Sequence, residues 1–521
     1  MSNTKIFGIA LVALILGSVY VLNAPFAQNV PAEETSAIVE LKDGDTYTLT
    51  MAPVKKVIDG KEYDMLAYNG SIPGPVFRIK QHSEVTINLI NKIDMETTLH
   101  AHGVRMESAF DGVPGISQEA VKPGELFTYR LKFPDAGIFW YHPHVRTDYQ
   151  VEHGLYGAIV VEPETPLYWG LVNREEVLVI DDLLLEDGRI TFDKKRITHT
   201  LMGRFGNKML INGETDYSFA ALQGETVRFY LVNAANARPF NIGILGARLK
   251  LVGAEAGAYE RDSWTDEVLL GPGERAIVEA TFDTSGEFAI ENRTPERTYV
   301  LGSVRVSDAS VASRVAEFET LETHEKTILD IDSFRSYFDR APDKKIRFSI
   351  AMGARGNHMM SGGSMMGGMD SMMGVPAGGL PAQAGIEWED TGPMMNAMSD
   401  EGVVKWQIID EDTKRINMDI NWTLKRGVPL KIRIVNDATS MHSMQHPFHM
   451  HGQRFLVLSR LPAGQAGGTP EKNLAWKDTV LVKAGETVDI LLDTSNPGAW
   501  MAHCHILEHA EAGMMFSFKI E

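Results

Sequence analysis

Between turn residues the chain falls into short segments in which apolar and polar positions alternate. Residues 85–91 (VTINLIN), 126–133 (LFTYRLKF), 227–233 (VRFYLVN) and 487–493 (TVDILLD) are examples. A period of two places successive side chains on opposite faces, so each segment predicts a β-strand. Strands this short, closely spaced and punctuated by Gly, Pro and Asn predict an all-β fold built of sandwiches.

The pattern repeats three times. Near the start of each unit an Asn and a Gly-containing turn lead to a strand ending in Asn: Asn69 to Asn91, Asn212 to Asn233, and Asn421 to Asn436. Later a Gly-Glu turn leads through a strand to Gly-x-aromatic. These run from Gly124-Glu125 to Phe139, Gly273-Glu274 to Phe288, and Gly485-Glu486 to Trp500. A repeat of this kind predicts three homologous sandwich domains, near 36–165, 166–315 and 340–521, with 316–339 a linker containing some helix. A chain of 521 residues is also too long for a single core. Residues 352–398 interrupt the third unit with eleven methionines among Gly and Ser, for which a mobile insertion without a packed core is expected.

Composition is that of an ordinary globular protein, 44% hydrophobic and 23% charged, but the formal net charge is −19. That charge argues against nucleic acid as the main partner and suits a cationic substrate such as a metal ion, although an acidic surface is more often simply a soluble one. At the amino terminus Lys5 precedes an apolar run over 6–22, followed by Ala24-Pro25-Phe26-Ala27. This reads as an export signal over 1–27, either removed or kept as a single membrane anchor, and places the protein in the periplasm or outside the cell. No second apolar run of that length follows, so the body is expected to be soluble. The single cysteine, Cys504, excludes an intramolecular disulfide. A lone thiol exported to an oxidising compartment calls for something to hold it, and a metal would.

Ten of the sixteen histidines lie in four clusters: His100/His102, His142/His144, His446/His449/His451 and His503/His505/His509. At this histidine content chance gives roughly half a His-x-His pair in the chain, against the four present. On a strand, residues i and i+2 share a face, so each pair presents two imidazoles to one cavity. At 503–505 the histidines point one way and Cys504 the other, giving a short covalent path between two metal centres. Cys504, His446 and His509 form a His₂Cys set with Met514 as weak axial ligand and Met515 as the lesser alternative, the pattern of a blue-copper centre. The other eight histidines suit a cluster of about three coppers between the first and third domains. In the middle unit Asn241-Ile242-Gly243 and Ile290-Glu291-Asn292 stand where the outer units carry ligands, so this domain reads as a spacer.

With these motifs in place the chain resembles the three-domain multicopper oxidases, the laccase and cuprous-oxidase family. The motifs are His100-x-His102-Gly103, His142-x-His144, His446-x-x-His449-x-His451 and His503-Cys504-His505-x-x-x-His509 with Met514. The resemblance implies three cupredoxin-like Greek-key sandwiches and four copper ions. It puts the type 1 copper on Cys504, His446, His509 and Met514, and the type 2 copper on His100 and His449. The type 3 pair falls on His102, His142, His144, His451, His503 and His505. It further implies one-electron oxidation of a donor at the first site and reduction of O2 to water at the cluster.

Asp111 matches an acidic position the family uses near the cluster. Bacterial relatives often carry a second acid directly after the equivalent of His509; here Ala510 stands there, and Glu511 is the candidate substitute in a proton relay. The Met-rich insertion resembles that of bacterial cuprous oxidases, and soft thioethers favour Cu(I). Candidate ligands for Cu(I) as substrate are Met441, His442, Met444, Met352, Met359 and Met360, although cuprous oxidases tend to carry an acid where His442 stands. The favoured expectation is an exported, monomeric oxidase acting on Cu(I). A broad laccase for phenols and aromatic amines is the alternative. A copper storage or delivery protein would not need the eight-histidine cluster, and a copper nitrite reductase lacks it.

Overall fold

The computed structural model describes residues 30–165, 168–186, 188–355, 385–465 and 467–521. The leader over 1–27 and most of the Met-rich insertion, with Met359 and Met360, lie outside the described residues. Among the described residues no helix is long and apolar enough to cross a membrane.

Six of the sheets pair into three two-layer sandwiches. In the first, the five strands Ile38–Leu41, Val76–Lys80, Gly157–Glu162, Gly137–His142 and His100–His102 lie in that order. They face a sheet of four: Lys61–Tyr68, Thr46–Ile58, Glu84–Asn91 and Leu126–Lys132. The middle and third sandwiches each pair a six-stranded with a five-stranded sheet, within 174–310 and 344–520. Strand Gly498–Cys504 runs antiparallel to His446–Met450, placing His449 opposite His503, just as His100 lies opposite His142 in the first sandwich.

The repeat is a repeat of backbone chemistry. Gly137, Gly286 and Gly498 have φ of 145°, 144° and 139°, a region closed to residues with a Cβ. Asn69 and Asn212 are left-handed, with side-chain oxygens accepting the N–H of Thr50 and Val179. Their counterpart in the third unit is Asn417, which accepts from Ile408 N–H with φ of 49°. Asn421, the expected marker, instead begins a strand. The second asparagines tie loops together identically: Asn91, Asn233 and Asn436 each donate to two carbonyls, including those of Val121, Leu270 and Val482.

Alternation holds where one face is wet, as in Glu84–Asn91. It fails in Glu225–Asn233, every residue of which is buried. There Val227, Phe229 and Leu231 fill the middle sandwich, while Tyr230 and Val232 pack with Trp140 and Val177 in the core shared with the first. The third domain is sealed likewise, with Ile490 in its own core and Leu491 in the core of the first. Each unit therefore buries both faces of a strand, which welds the three sandwiches together.

The expectation of an unpacked Met-rich segment needs correction at both ends. Met352 closes strand Lys344–Met352, and 385–398 pack against the middle domain. Trp388 is buried, its carbonyl accepts from Arg238, and Asn396 bridges Met202 N–H and the Gly203 carbonyl. The indole and the satisfied amide supply anchors that the Gly and Met content obscured.

Candidate metal centre

The strands converge so that the four histidine clusters meet in two places. Cys504 is fully buried in the third sandwich, its Sγ 3.5 Å from His446 Nδ1 and 3.9 Å from His509 Nδ1. His446 opens its strand, and His509 rides on the short helix Leu507–Glu511. Trp406 lies 4.6 Å from both rings and helps to wall the site. Met514 is buried in the same core; its N–H donates to the His509 carbonyl and its own carbonyl accepts from Cys504 N–H. Met515 lies opposite His503 at the start of the last strand. Burial pushes the Cys504 thiol far above its ordinary value, so a thiolate there needs a cation.

The other eight histidines gather between the first and third sandwiches. Candidate ligand atoms lie within 4.8 Å of one another in three sets: His100/His102/His449, His102/His142/His505 and His144/His451/His503. Burial, and then neighbouring imidazoles, pushes His102, His142, His144, His451, His503 and His505 well below the ordinary histidine value. His446 is pushed down to about 3 by burial and by His442. The rings are thus neutral with free lone pairs, as metal ligation requires.

Hydrogen bonds orient these rings. His100, His142, His449 and His503 each bond through Nδ1 to a backbone carbonyl, of Asp111, Pro143, Asp478 and Cys504 respectively. His451 Nδ1 meets the Asp111 carboxylate at 2.9 Å, leaving its Nε2 3.0 Å from His503 Nε2. His102 is reversed: Nε2 meets Asp478 and Thr479, each at 3.0 Å, and Nδ1 faces His142 Nε2 at 3.5 Å. His100, His144 and His449 leave Nε2 buried without a hydrogen-bond partner among the described residues. Orphaned imidazole nitrogens converging on one space fit a soft-to-borderline transition metal such as copper.

Asp478, Glu508 and Glu387 are not singled out by the sequence, whereas Glu511, Met441, His442 and Met444 are. Asp478, between domains one and three, is fully buried and held by Arg275 of the middle domain. Glu508, inside the last motif, is fully buried, accepts from Asn236 Nδ2 and is pushed up to about 8 by burial and Asp148. Glu511 accepts from Thr147 N–H and is pushed up to about 7 by burial and Asp148. At the outer edge Glu387 lies 3.3 Å from His442 Nε2, and its backbone exchanges hydrogen bonds with the Gln445 side chain, next to His446. Met441 and His442 are half-buried here, whereas Met444 is sealed in the core beneath. Burial and pairing, not residue type, mark these groups, and neither is written in local spacing.

Three β-sandwiches with a buried His₂Cys site and an eight-histidine group define a copper-binding oxidoreductase scaffold. Family models described as multicopper oxidase match residues 50–166, 189–308 and 389–521. The chain belongs to the multicopper oxidase family, copper-dependent oxidoreductases with oxygen as acceptor. It is 24% identical over 489 residues to multicopper oxidase mco of Staphylococcus aureus, covering 91% of this chain and 88% of that one. It is 24% identical over 604 residues to copper resistance protein A of Escherichia coli, covering 92% of each. Among solved structures it matches a multicopper oxidase of Campylobacter jejuni, described as a metallo-oxidase, with TM-score 0.68, 24% identity, and coverage of 95% of this chain and 98% of that one.

Proposed function

We propose that this chain is an exported cuprous oxidase. Cu(I) is the electron donor, and O2 is the acceptor and is reduced to water. In this reading Cys504, His446 and His509, with Met514 axial, hold the type 1 copper. His100 and His449 hold the type 2 copper, and His102, His142, His144, His451, His503 and His505 hold the type 3 pair. Copper at these positions supplies one-electron transfer and a site for O2 reduction, at a cost of four electrons and four protons per O2. Asp111, against His451 Nδ1, and Glu511 are the acids assigned to proton handling.

The observation that carries the choice of donor is the outer edge of the His446 site. The far end of the Met-rich insertion is fastened there by the Glu387–Gln445 hydrogen bonds, 2.7 and 3.2 Å long. Glu387 supplies beside His442 an acid absent from that position in the sequence. Met441, His442 and Glu387 offer a thioether, an imidazole and a carboxylate to a substrate ion one residue shell from the type 1 ligands. The insertion that ends there, with Met352 at its base, is the matching source of thioethers. The copper resistance relative supports the same choice. The apolar leader and the lone buried cysteine support export.

Oxygen uptake with Cu(I), Fe(II), Mn(II) and a phenol as donors tests the reading. Removing 356–384 is expected to depress uptake driven by Cu(I) and to spare the phenol. Equal loss with both donors, or a wild type that oxidises the phenol and not Cu(I), refutes a cuprous oxidase and leaves a laccase.

A further inference from the structure

We infer that the middle domain, which has lost its histidines, still sets the cluster: its Arg275 and Glu255 clamp Asp478, which fixes the orientation and tautomer of His102. The inference rests on the reading that the eight histidines hold copper.

Arg275 follows the Gly273-Glu274 turn that marks the repeat, and it is fully buried. Its side chain leaves its own domain. Nε donates to the Ile138 carbonyl of the first domain at 3.2 Å. Nη1 and Nη2 grip the Asp478 carboxylate of the third domain at 2.8 and 2.5 Å. This two-pronged geometry is available to a guanidinium and not to an ammonium. From behind, Glu255 Oε2 accepts the backbone N–H of Asp478 at 2.6 Å and of Thr479 at 3.0 Å. Lys477 lies 3.0 Å from its other oxygen. Asp478 is thus held from both sides by one domain.

The other end of this clamp is a candidate ligand. Asp478 Oδ1 is 3.0 Å from His102 Nε2, and Thr479 Oγ1 is equally close. With Nε2 occupied as donor to the carboxylate, the lone pair sits on Nδ1, the nitrogen turned toward His142. His449 touches the same residue, Nδ1 lying 2.9 Å from the Asp478 carbonyl. Room for the clamp comes from Gly103 of the His-x-His-Gly motif: a Cβ there would sit 2.2 Å from Asp478 Oδ2 and 2.6 Å from Arg275 Nη2. The glycine after the second histidine is therefore a condition for the arginine to reach across.

The test measures copper affinity, by chelator competition, at the two places separately in Arg275→Lys, Glu255→Gln and Asp478→Asn. The blue thiolate absorption reports the Cys504 site; copper content beyond that one ion reports the cluster. Removing a partner that orients a metal-bound imidazole typically weakens binding by about 10–100-fold. That loss is expected at the cluster alone, largest in Asp478→Asn, with the blue band and its affinity unchanged. Arg275→Lys keeps the charge and loses the fork, so it is expected to fold even where a neutral replacement does not, and to show the same selective loss. Variants that melt earlier yet bind copper at both places like the wild type would reduce the clamp to a structural tie and overturn the inference, as would equal weakening at both places. A wild type that binds no copper outside the blue site would instead overturn the reading beneath it.

Discussion

The Nδ1–H of His503 donates to the carbonyl oxygen of its neighbour Cys504 at 2.8 Å. That bond runs in parallel with the covalent backbone between a ring facing the eight-histidine group and a sulfur facing the other site. It also fixes which nitrogen of His503 is left for a metal. Cys504→Ser is expected to abolish the blue absorption and donor oxidation together, while copper bound by the eight histidines persists. Absorption spectra and copper content of the purified variant check this.

Asp111 touches two candidate ligands, through its carbonyl to His100 and its carboxylate to His451. Asp111→Asn keeps the carbonyl and the shape but removes the charge and the proton site. General acid–base groups contribute about 10²–10⁴-fold to rate. A fall of at least about 100-fold in reoxidation of the reduced enzyme by O2 is expected, with reduction of the blue site by donor unchanged. Stopped-flow absorption separates the two half-reactions.

The buried histidines make the copper-free protein sensitive to acid. Burial pushes His446 down to about 3, and six cluster imidazoles move the same way. Between those values and the ordinary histidine pKa near 6.5, the unfolded chain binds more protons than the folded one. Stability is therefore full above about pH 6.5 and is lost progressively as pH falls toward 3. Urea midpoints of the copper-free protein at pH 7 and 5 should differ sharply.

Glu508 acts with the opposite sign. Its folded pKa is pushed up to about 8 from an ordinary value of 4.5. The folded chain then holds a proton that the unfolded chain has released, so its contribution is intact below about pH 4.5 and lost as pH rises through 8. In the copper-free protein, Glu508→Gln keeps an acceptor for Asn236 and is expected to raise the melting temperature relative to wild type at pH 8, with the advantage gone near pH 4.

The three repeat glycines should respond unequally to alanine. At each the backbone conformation itself costs about 1–3 kcal/mol for a residue with a side chain. A Cβ at Gly286 meets nothing within 4 Å, whereas at Gly137 it lies 2.2 Å from the Glu255 carbonyl and at Gly498 2.6 Å from Ser108. Gly137→Ala and Gly498→Ala are therefore expected to destabilise well beyond Gly286→Ala in thermal unfolding.

The strands, the threefold repeat and the histidine clusters were legible because each rests on local spacing: period two for the strands, i and i+2 for the imidazole pairs. Asn417 was not told apart from Asn421, since what marks the turn is a left-handed backbone closed by a side-chain oxygen. Arg275, Glu255, Asp478 and Glu387 are common residue types whose partners stand 55 to 376 positions away. Only folding makes them a set. Glu508 lay in plain sight inside a motif, but its chemistry comes from total burial, which one acidic letter does not announce.

Four of the converging imidazoles come from residues 100–144 and four from residues 449–505. During synthesis the first four are made early and wait, unmatched, until residues 449–505 have emerged. Assembly of the eight-histidine group therefore waits for the third sandwich, and a chain cut before His449 would carry only half of the eight imidazoles.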